Sequence, residues 1–343
     1  MPSIEVKQIL RRYPPDCQPT QVESLGSAGG MSGAQFWRVG ASRGTLCLRR
    51  WPNEHPSPKR LQFIHAVLQH AARRAILFVP VPIAARDGES FVHHAGNLWQ
   101  LEPWMPGTAD YERSPREEKL SAAMTALAQF HSATRDFEQS SRDISVDRKA
   151  LSLPTINQYA VQRRLAQLRE LSHGGPSELA RAITDTIWPE LAPLARQFVA
   201  AFPIAAQNAI EKLEPLAAVR LPLQPCLRDI WHDHVLFTGD EVTGVIDFGA
   251  VDIDTPATDI ARLLGSLVED GVEGWQTGLA AYSTVRRLSP EESVAASALD
   301  KSGTVLAGCN WIRWIYIKRR KFENEAQVIG RFRHILERVL RIE

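Results

Sequence analysis

The amino-acid sequence predicts an α+β protein of two lobes, a strand-rich first third followed by a helix-rich remainder. Three observations predict it. Residues 20–51 alternate apolar and polar side chains and are punctuated by glycine, the pattern of half-buried strands. Beyond Ser114 apolar residues recur instead at the helical period. Between the two patterns lies a Pro-rich break at Pro103–Gly107. A length of 343 residues suits one large domain or two intimately packed lobes.

Each element can be justified in order. "TQVESLGSAGGMSGAQFWRVGASRGTLCLRRW" reads as three strands, with Gly26, Gly29, Gly30 and Gly33 in the first connection. A helix is expected over 57–75, capped by Ser57 with Pro58 at its first position. Residues 79–107 read as a hairpin. Ser114-Pro115-Arg116-Glu117 is a capping box that opens the next helix. Residues 138–220 read as amphipathic helix broken at Pro154, Gly174–Pro176, Pro193 and Pro203. Ser289-Pro290-Glu291-Glu292 starts a further helix, and residues 303–340 complete a helical tail. Within it Trp311, Trp314 and Tyr316 read as core, while "RRLAQLRE" (163–170) and "IKRRKF" (317–322) read as solvated faces.

Composition narrows the function classes. Lys and Arg total 40 against 39 Asp and Glu, which gives no global attraction to nucleic acid or an anionic membrane. Four scattered Cys without a Cys-x-x-Cys pair fit a reducing compartment and argue against thiolate zinc. No apolar run approaches the roughly 20 residues of a membrane span, and the first residues lack a signal-peptide core. A soluble cytoplasmic protein is expected.

The chemistry concentrates in "CLRDIWHDHVLFTGDEVTGVIDFG", residues 226–249. Val235–Phe237 and Val242–Ile246 are short strands around a Gly239–Asp240 turn, so Asp229, His234 and Asp247 are expected at the mouths of one hairpin. His232, His234 and Asp229 also permit a metal-hydrolase reading. It leaves Asp247-Phe248-Gly249 unexplained.

These residues resemble the catalytic and metal-binding loops of the protein-kinase-like superfamily, in its aminoglycoside and small-molecule phosphotransferase branch. Leu227-Arg228-Asp229, His234 and Asp247-Phe248-Gly249 occupy the places of that superfamily's His-Arg-Asp, Asn and Asp-Phe-Gly. "TPATDIARLLGS" (255–266) resembles its helix entry, with Asp259 as brace of the catalytic loop. "ALAQFHSAT" (126–134) and "LCLRRW" (46–51) resemble a C-lobe helix and the third strand. The likeness covers roughly residues 20–134 and 223–340.

The resemblance implies a bilobal kinase-like fold. Its N-lobe is a small antiparallel sheet over residues 1–103, with a hinge near 102–107. Its helical C-lobe covers 104–343, with the helices near 138–220 and 303–340 as candidate acceptor walls. It implies ATP with Mg²⁺ or Mn²⁺ as cofactors and a small hydroxylated acceptor such as a sugar, an amino alcohol, a homoserine-like compound or an aminoglycoside. Asp229 is then the base at the acceptor hydroxyl; Asp247 and His234 are metal ligands. Arg49, on one face with Cys47, grips phosphates, and Gly26, Ser27, Gly29, Gly30 and Ser32 cover them. Glu102 and Trp104 offer backbone hydrogen bonds to adenine. Three positions depart from the pattern. His234 stands for Asn, Arg49 for Lys, and the helix at 57–75 carries no carboxylate for Arg49, leaving Gln62 or His65 as partners. A catalytically silent kinase-like binding or scaffold protein is the second reading.

Overall fold

Period-two alternation in the first fifty residues becomes three antiparallel strands, β1 (Pro19–Gly26), β2 (Gln35–Ala41) and β3 (Gly44–Arg50). The computed structural model describes residues 4–27, 33–137, 159–322 and 324–342. It divides into two compact units, residues 1–152 with 232–252, and 153–231 with 253–343.

In the first unit a five-stranded antiparallel sheet runs β1-β2-β3-β5-β4, with β4 at Val92–His94 and β5 at Asn97–Pro103. Alternation gives it two characters. Leu46, Leu48, Trp99 and Leu101 pack with Val6, Ile9 and Leu10 of α1 (Ile4–Leu10), and Trp37 stacks on Trp99 at 5.3 Å. The intervening positions, Cys47 opposite Glu102 and Arg49 opposite Gln100, belong to the other face. There lies α2 (Pro58–Arg73), where Ser57 accepts from the Arg60 N–H and Leu61, Ile64, Leu68 and Ala71 are buried, as expected of that stretch.

The strand pair expected over 79–107 is shorter than that stretch. Only 92–94 and 97–103 pair, around Ala95 and Gly96 at positive φ. Pro80 and Pro82 lack the N–H that a ladder needs, so residues 79–91 run irregularly, tied by Ile83 N–H to the Leu101 carbonyl at 2.7 Å.

The capping box at Ser114 does not form. Helix α3 (Glu117–Thr134) starts three residues later, with Arg116 as its uncapped boundary residue. The Ser114 N–H is drawn into a preceding turn by the carbonyls of Asp110 and Tyr111.

The hairpin β7 (Val235–Thr238) and β8 (Glu241–Val245) turns at Gly239, φ 63°. It is held by a Thr108–Phe237 bridge and by Val245 N–H to the Phe78 carbonyl. Gly107, φ 102°, is required here: a Cβ would lie 2.5 Å from Thr243 Oγ1.

The second unit is helical apart from β6 (Gln224–Cys226), which pairs with β9 (Asp252–Asp254). Its helices are α4 (Tyr159–Ser172), α5 (Gly175–Ala182), α6 (Ala192–Leu213), α7 (Pro256–Leu267), α8 (Val272–Ser283), α9 (Pro290–Ile312) and α10 (Glu325–Val339). Pro203 does not break α6. The buried face of Ala195, Phe198, Phe202 and Ala206 outweighs the roughly 3 kcal/mol an interior proline costs. Gly308 lets α9 approach α6, since a Cβ there would meet Phe198 at 2.1 Å. Ser289 forms the full capping box with Glu292. Trp311 and Tyr316 are buried, with Trp314 edge-on to Trp311 at 5.3 Å. Pro154 and the first part of the 138–220 stretch lie outside the described residues. No helix among the described residues is long and apolar enough to cross a membrane.

Candidate active site

In the first unit the site is built on β3, β5 and the end of β8. Arg49 is buried, and its guanidinium carbon lies 3.5 Å from the centroid of the Trp51 ring and 5.0 Å from that of Phe36. A desolvated stack of this kind contributes about 2 kcal/mol. Stacking fixes the plane of the fork, and both Nη1 and Nη2 donate to Asp247 Oδ1, at 3.3 and 3.2 Å.

Asp247 stands at φ 62°, in the left-handed region, just past β8. Its other oxygen, Oδ2, faces His234 Nε2 at 3.8 Å. Burial alone would raise the Asp247 carboxyl, but the charges of Arg49 and His234 hold it below the usual carboxylate range. Phe248 next to it is buried against Phe130, and at Gly249 a Cβ would lie a tight 3.0 Å from the Trp51 ring, so the indole would have to shift. Asp, Phe and Gly thus have three separate jobs: a carboxylate in the pocket, an anchor in the core, and space for the indole that carries Arg49.

Behind Arg49 a chain of side-chain hydrogen bonds closes the pocket. Trp51 Nε1 donates to Gln100 Oε1 at 2.7 Å, and the same oxygen lies 3.2 Å from His65 Nε2. Gln100 Nε2 donates to Glu102 Oε2 at 2.6 Å. Burial pushes His65 down to about 4, so the ring is neutral at pH 7 and must donate from Nε2 to the Gln100 oxygen. Burial likewise raises the Glu102 carboxyl to about 7, against the pull of Arg49 and Gln100. Gln62, by contrast, is exposed on α2; His65 is the helix residue that reaches the pocket network, through Gln100.

Other expected residues fall as follows. Cys47 lies opposite Glu102 in the ladder, its thiol raised by burial. The Trp104 N–H is already used by the Thr45 carbonyl at 3.0 Å, and its ring lies under Arg38. Gly26, φ 59°, ends β1 and Ser27 follows it in a turn, while Gly29, Gly30 and Ser32 lie outside the described residues. His232 faces Asp233 at 3.2 Å and His234 faces Asp247; among the described residues the side chains close enough to hold one metal are His131, Cys226 and Asp259, not the Asp229, His232 and His234 set of the hydrolase reading.

Asp229 belongs to the second unit. Asp259, fully buried on the first turn of α7, accepts the Leu227 N–H at 2.6 Å and the Arg228 N–H at 2.7 Å. Arg228 sits at φ 64°, a strained conformation for a non-glycine residue, held by those two charge-assisted bonds. The Asp229 carboxylate, half-exposed, accepts from Arg262. Arg262 was not expected from sequence. Asp259 and Arg262 are three apart on a helix and therefore share a face, the one signal that could have found it.

Comparison with known proteins bears on these two constellations. The model of the phosphotransferase enzyme family, APH, matches residues 26–292. A homoserine kinase of Beijerinckia indica is 26% identical over 305 residues, covering 87% of this chain and 83% of that protein. One from Brucella anthropi is 28% identical over 250 residues, covering 71% and 65%. Among solved structures, a spectinomycin phosphotransferase in complex with ADP and spectinomycin superposes with TM-score 0.70 at 12% identity, covering 100% of this chain and 98% of the other. A microcompartment-associated aminopropanol kinase gives 0.62 at 14% identity, covering 98% and 94%. At such identities the structural likeness speaks for the fold.

Proposed function

The chain belongs to the phosphotransferase enzyme family, and on that premise we propose that it transfers the γ-phosphoryl group of ATP to a hydroxyl of a small molecule. One observation carries the reading: Asp247 of the Asp-Phe-Gly segment is paired with Arg49 of β3, 198 residues away in sequence. Phosphoryl transfer asks for positioning and charge more than covalent chemistry. Arg49, with its plane fixed by Trp51, is suited to bind α/β phosphate oxygens bidentately. Asp247 supplies an oxygen ligand suited to Mg²⁺, and His234 an imidazole better suited to Mn²⁺. A divalent cation, when bound, would neutralise charge developing on the β and γ phosphates. Asp247 is available for that role at any pH near neutrality, since its carboxyl is held ionised.

With the Trp104 N–H occupied, the neighbouring Met105 N–H, which no main-chain carbonyl among the described residues takes, is the donor for adenine at the edge of β5. Asp229 is the base that accepts the acceptor hydroxyl proton. Asp259 keeps the loop in the conformation that presents it, as the two buried hydrogen bonds support. Homoserine kinase, spectinomycin phosphotransferase and aminopropanol kinase among the relatives support a small hydroxylated acceptor. In this reading residues 1–103 form the nucleotide-binding lobe, and 104–343 form the helical lobe that carries the catalytic hairpin near 223–250 and the acceptor helices near 138–220 and 303–340.

The test is ATP consumption against a library of hydroxyl compounds, with Asp247→Ala as the blank, beside thermal shift with ATP and Mg²⁺ or Mn²⁺. Metal-dependent ATP stabilisation with turnover on at least one compound is expected. Absence of any ATP shift would return the chain to a silent kinase-like scaffold.

A further inference from the structure

Five guanidinium groups gather around the loop that carries Asp229, and one of them, Arg164, has no carboxylate beside it among the described residues. The stretch 163–170 was expected to be a solvated face, yet Arg164 of α4 turns inward against α9. Its Nη1 donates to the Leu299 carbonyl at 3.0 Å. Room for it comes from Gly303, where a Cβ would lie 2.7 Å from the same nitrogen. Arg163, its neighbour, reaches the buried Asp254 at 3.7 Å, and Arg228 reaches the same oxygen at 3.4 Å. Arg262 holds Asp229. Asp300 is drawn to Arg338 at 2.6 Å.

Arg164 is the cation this arrangement leaves over. Among the described residues no carboxylate lies within 4.0 Å of it. Burial, then the nearby charges of Arg262 and Arg163, bring its guanidinium down to about 10 against the weaker opposing pull of Asp254 and Asp300, which still leaves it protonated at neutral pH. A half-desolvated guanidinium with like charges beside it is stabilised by any oxyanion that enters, because the fork matches carboxylate and phosphate geometry. A polycationic acceptor would meet the opposite: added repulsion where the dielectric is low.

We propose that the acceptor is an anionic hydroxy compound, its carboxylate or phosphate received by Arg164 with Arg163 and Arg262 beside the base Asp229. The inference rests on the phosphotransfer reading and narrows it to acceptors of one charge type.

The test compares four acceptor probes at fixed ATP: D-glycerate, glycerol 3-phosphate, neutral glycerol and the polycation kanamycin. Turnover on D-glycerate or glycerol 3-phosphate above that on glycerol and kanamycin is expected, and the two anions separate a carboxylate site from a phosphate site. Arg164→Gln should raise KM for the preferred anion roughly 10- to 100-fold with KM for ATP unchanged, and Arg164→Lys should recover part of it.

Titration of malonate and of inorganic phosphate into ADP-saturated protein reads the anion site without turnover. Arg163→Gln, on the partly exposed neighbour, gives a variant independent of the fold around Arg164. Preference for glycerol or kanamycin overturns the inference, as does malonate and phosphate binding that is absent in wild type or unchanged in both Gln variants. Failure to bind ATP at all strikes the phosphotransfer reading instead, while anion binding by the ADP-free protein would leave the Arg164 site standing.

Discussion

Asp247 and Asp229 are the two carboxylates to which chemistry is assigned, and they live in opposite surroundings. Asp247 shares its pocket with a second carboxylate, Glu102, against one guanidinium and one imidazole. Asp229 has Arg262 on its carboxylate and Arg228 beside it in the chain, with Arg163 and Arg164 part of the same cluster of charge. The contrast teaches what each place lacks. In the first pocket Asp247 faces its cations directly, Arg49 at 3.2 Å and His234 at 3.8 Å. In the second cluster Arg164 has no carboxylate within 4.0 Å among the described residues, and the proposed anionic acceptor is what would supply one.

Predictions follow from removing one side of each balance at a time. The largest effect is expected from Asp229→Asn: kcat falls roughly 10²- to 10⁴-fold while ATP affinity, by calorimetry, stays within twofold. Unchanged turnover would break the assignment of roles between the two carboxylates. Asp259→Ala leaves two buried N–H groups without their acceptor and should lower unfolding free energy by on the order of 3 kcal/mol, read by urea denaturation. Arg49→Met should weaken ATP binding by roughly 10- to 100-fold, with Arg49→Lys between it and wild type because charge returns without the stacked fork.

Glu102 sharpens the comparison through pH. Its folded-state carboxyl titrates near 7 against an ordinary 4.5, so the native state keeps a proton that the unfolded chain has released across that window. Stability should therefore fall as pH rises from 4.5 to 7, by on the order of 3 kcal/mol, and Glu102→Gln should flatten the slope. Parallel denaturation curves at pH 5 and 8 for both proteins decide it. The smallest effect lies far from either site: Ser289→Ala removes the capping box of α9 and costs about 1 kcal/mol, with kinetics unchanged.

Much of the fold was legible because its signals are local. Alternation in 20–51 and the Ser57 cap of α2 depend on residues a few positions apart, and the structure has them where expected. Local signals failed where a tertiary partner competed. The Ser114 motif matches Ser289 in kind, yet the Asp110 and Tyr111 carbonyls claim the Ser114 N–H first. Pro203 signals a break that the packed face of α6 overrides. Trp104 was expected at the nucleotide, and a strand neighbour took its N–H.

The candidate site divides the same way. Sequence alone names Asp229, Asp247, Asp259 and Arg49 as candidates, because motif spacing in a hairpin, a helix entry and a strand constrains which residue types can stand there. Only tertiary structure decided what each of them touches: Trp51 under Arg49, Gln100 relaying His65 to Glu102, Arg262 on Asp229, and Arg164 turned inward over a glycine 139 positions away. The physical reason is range. Propensity, capping and periodicity act over a few residues, whereas the field at a charged side chain is set by every group within several ångströms, most of them distant in the chain.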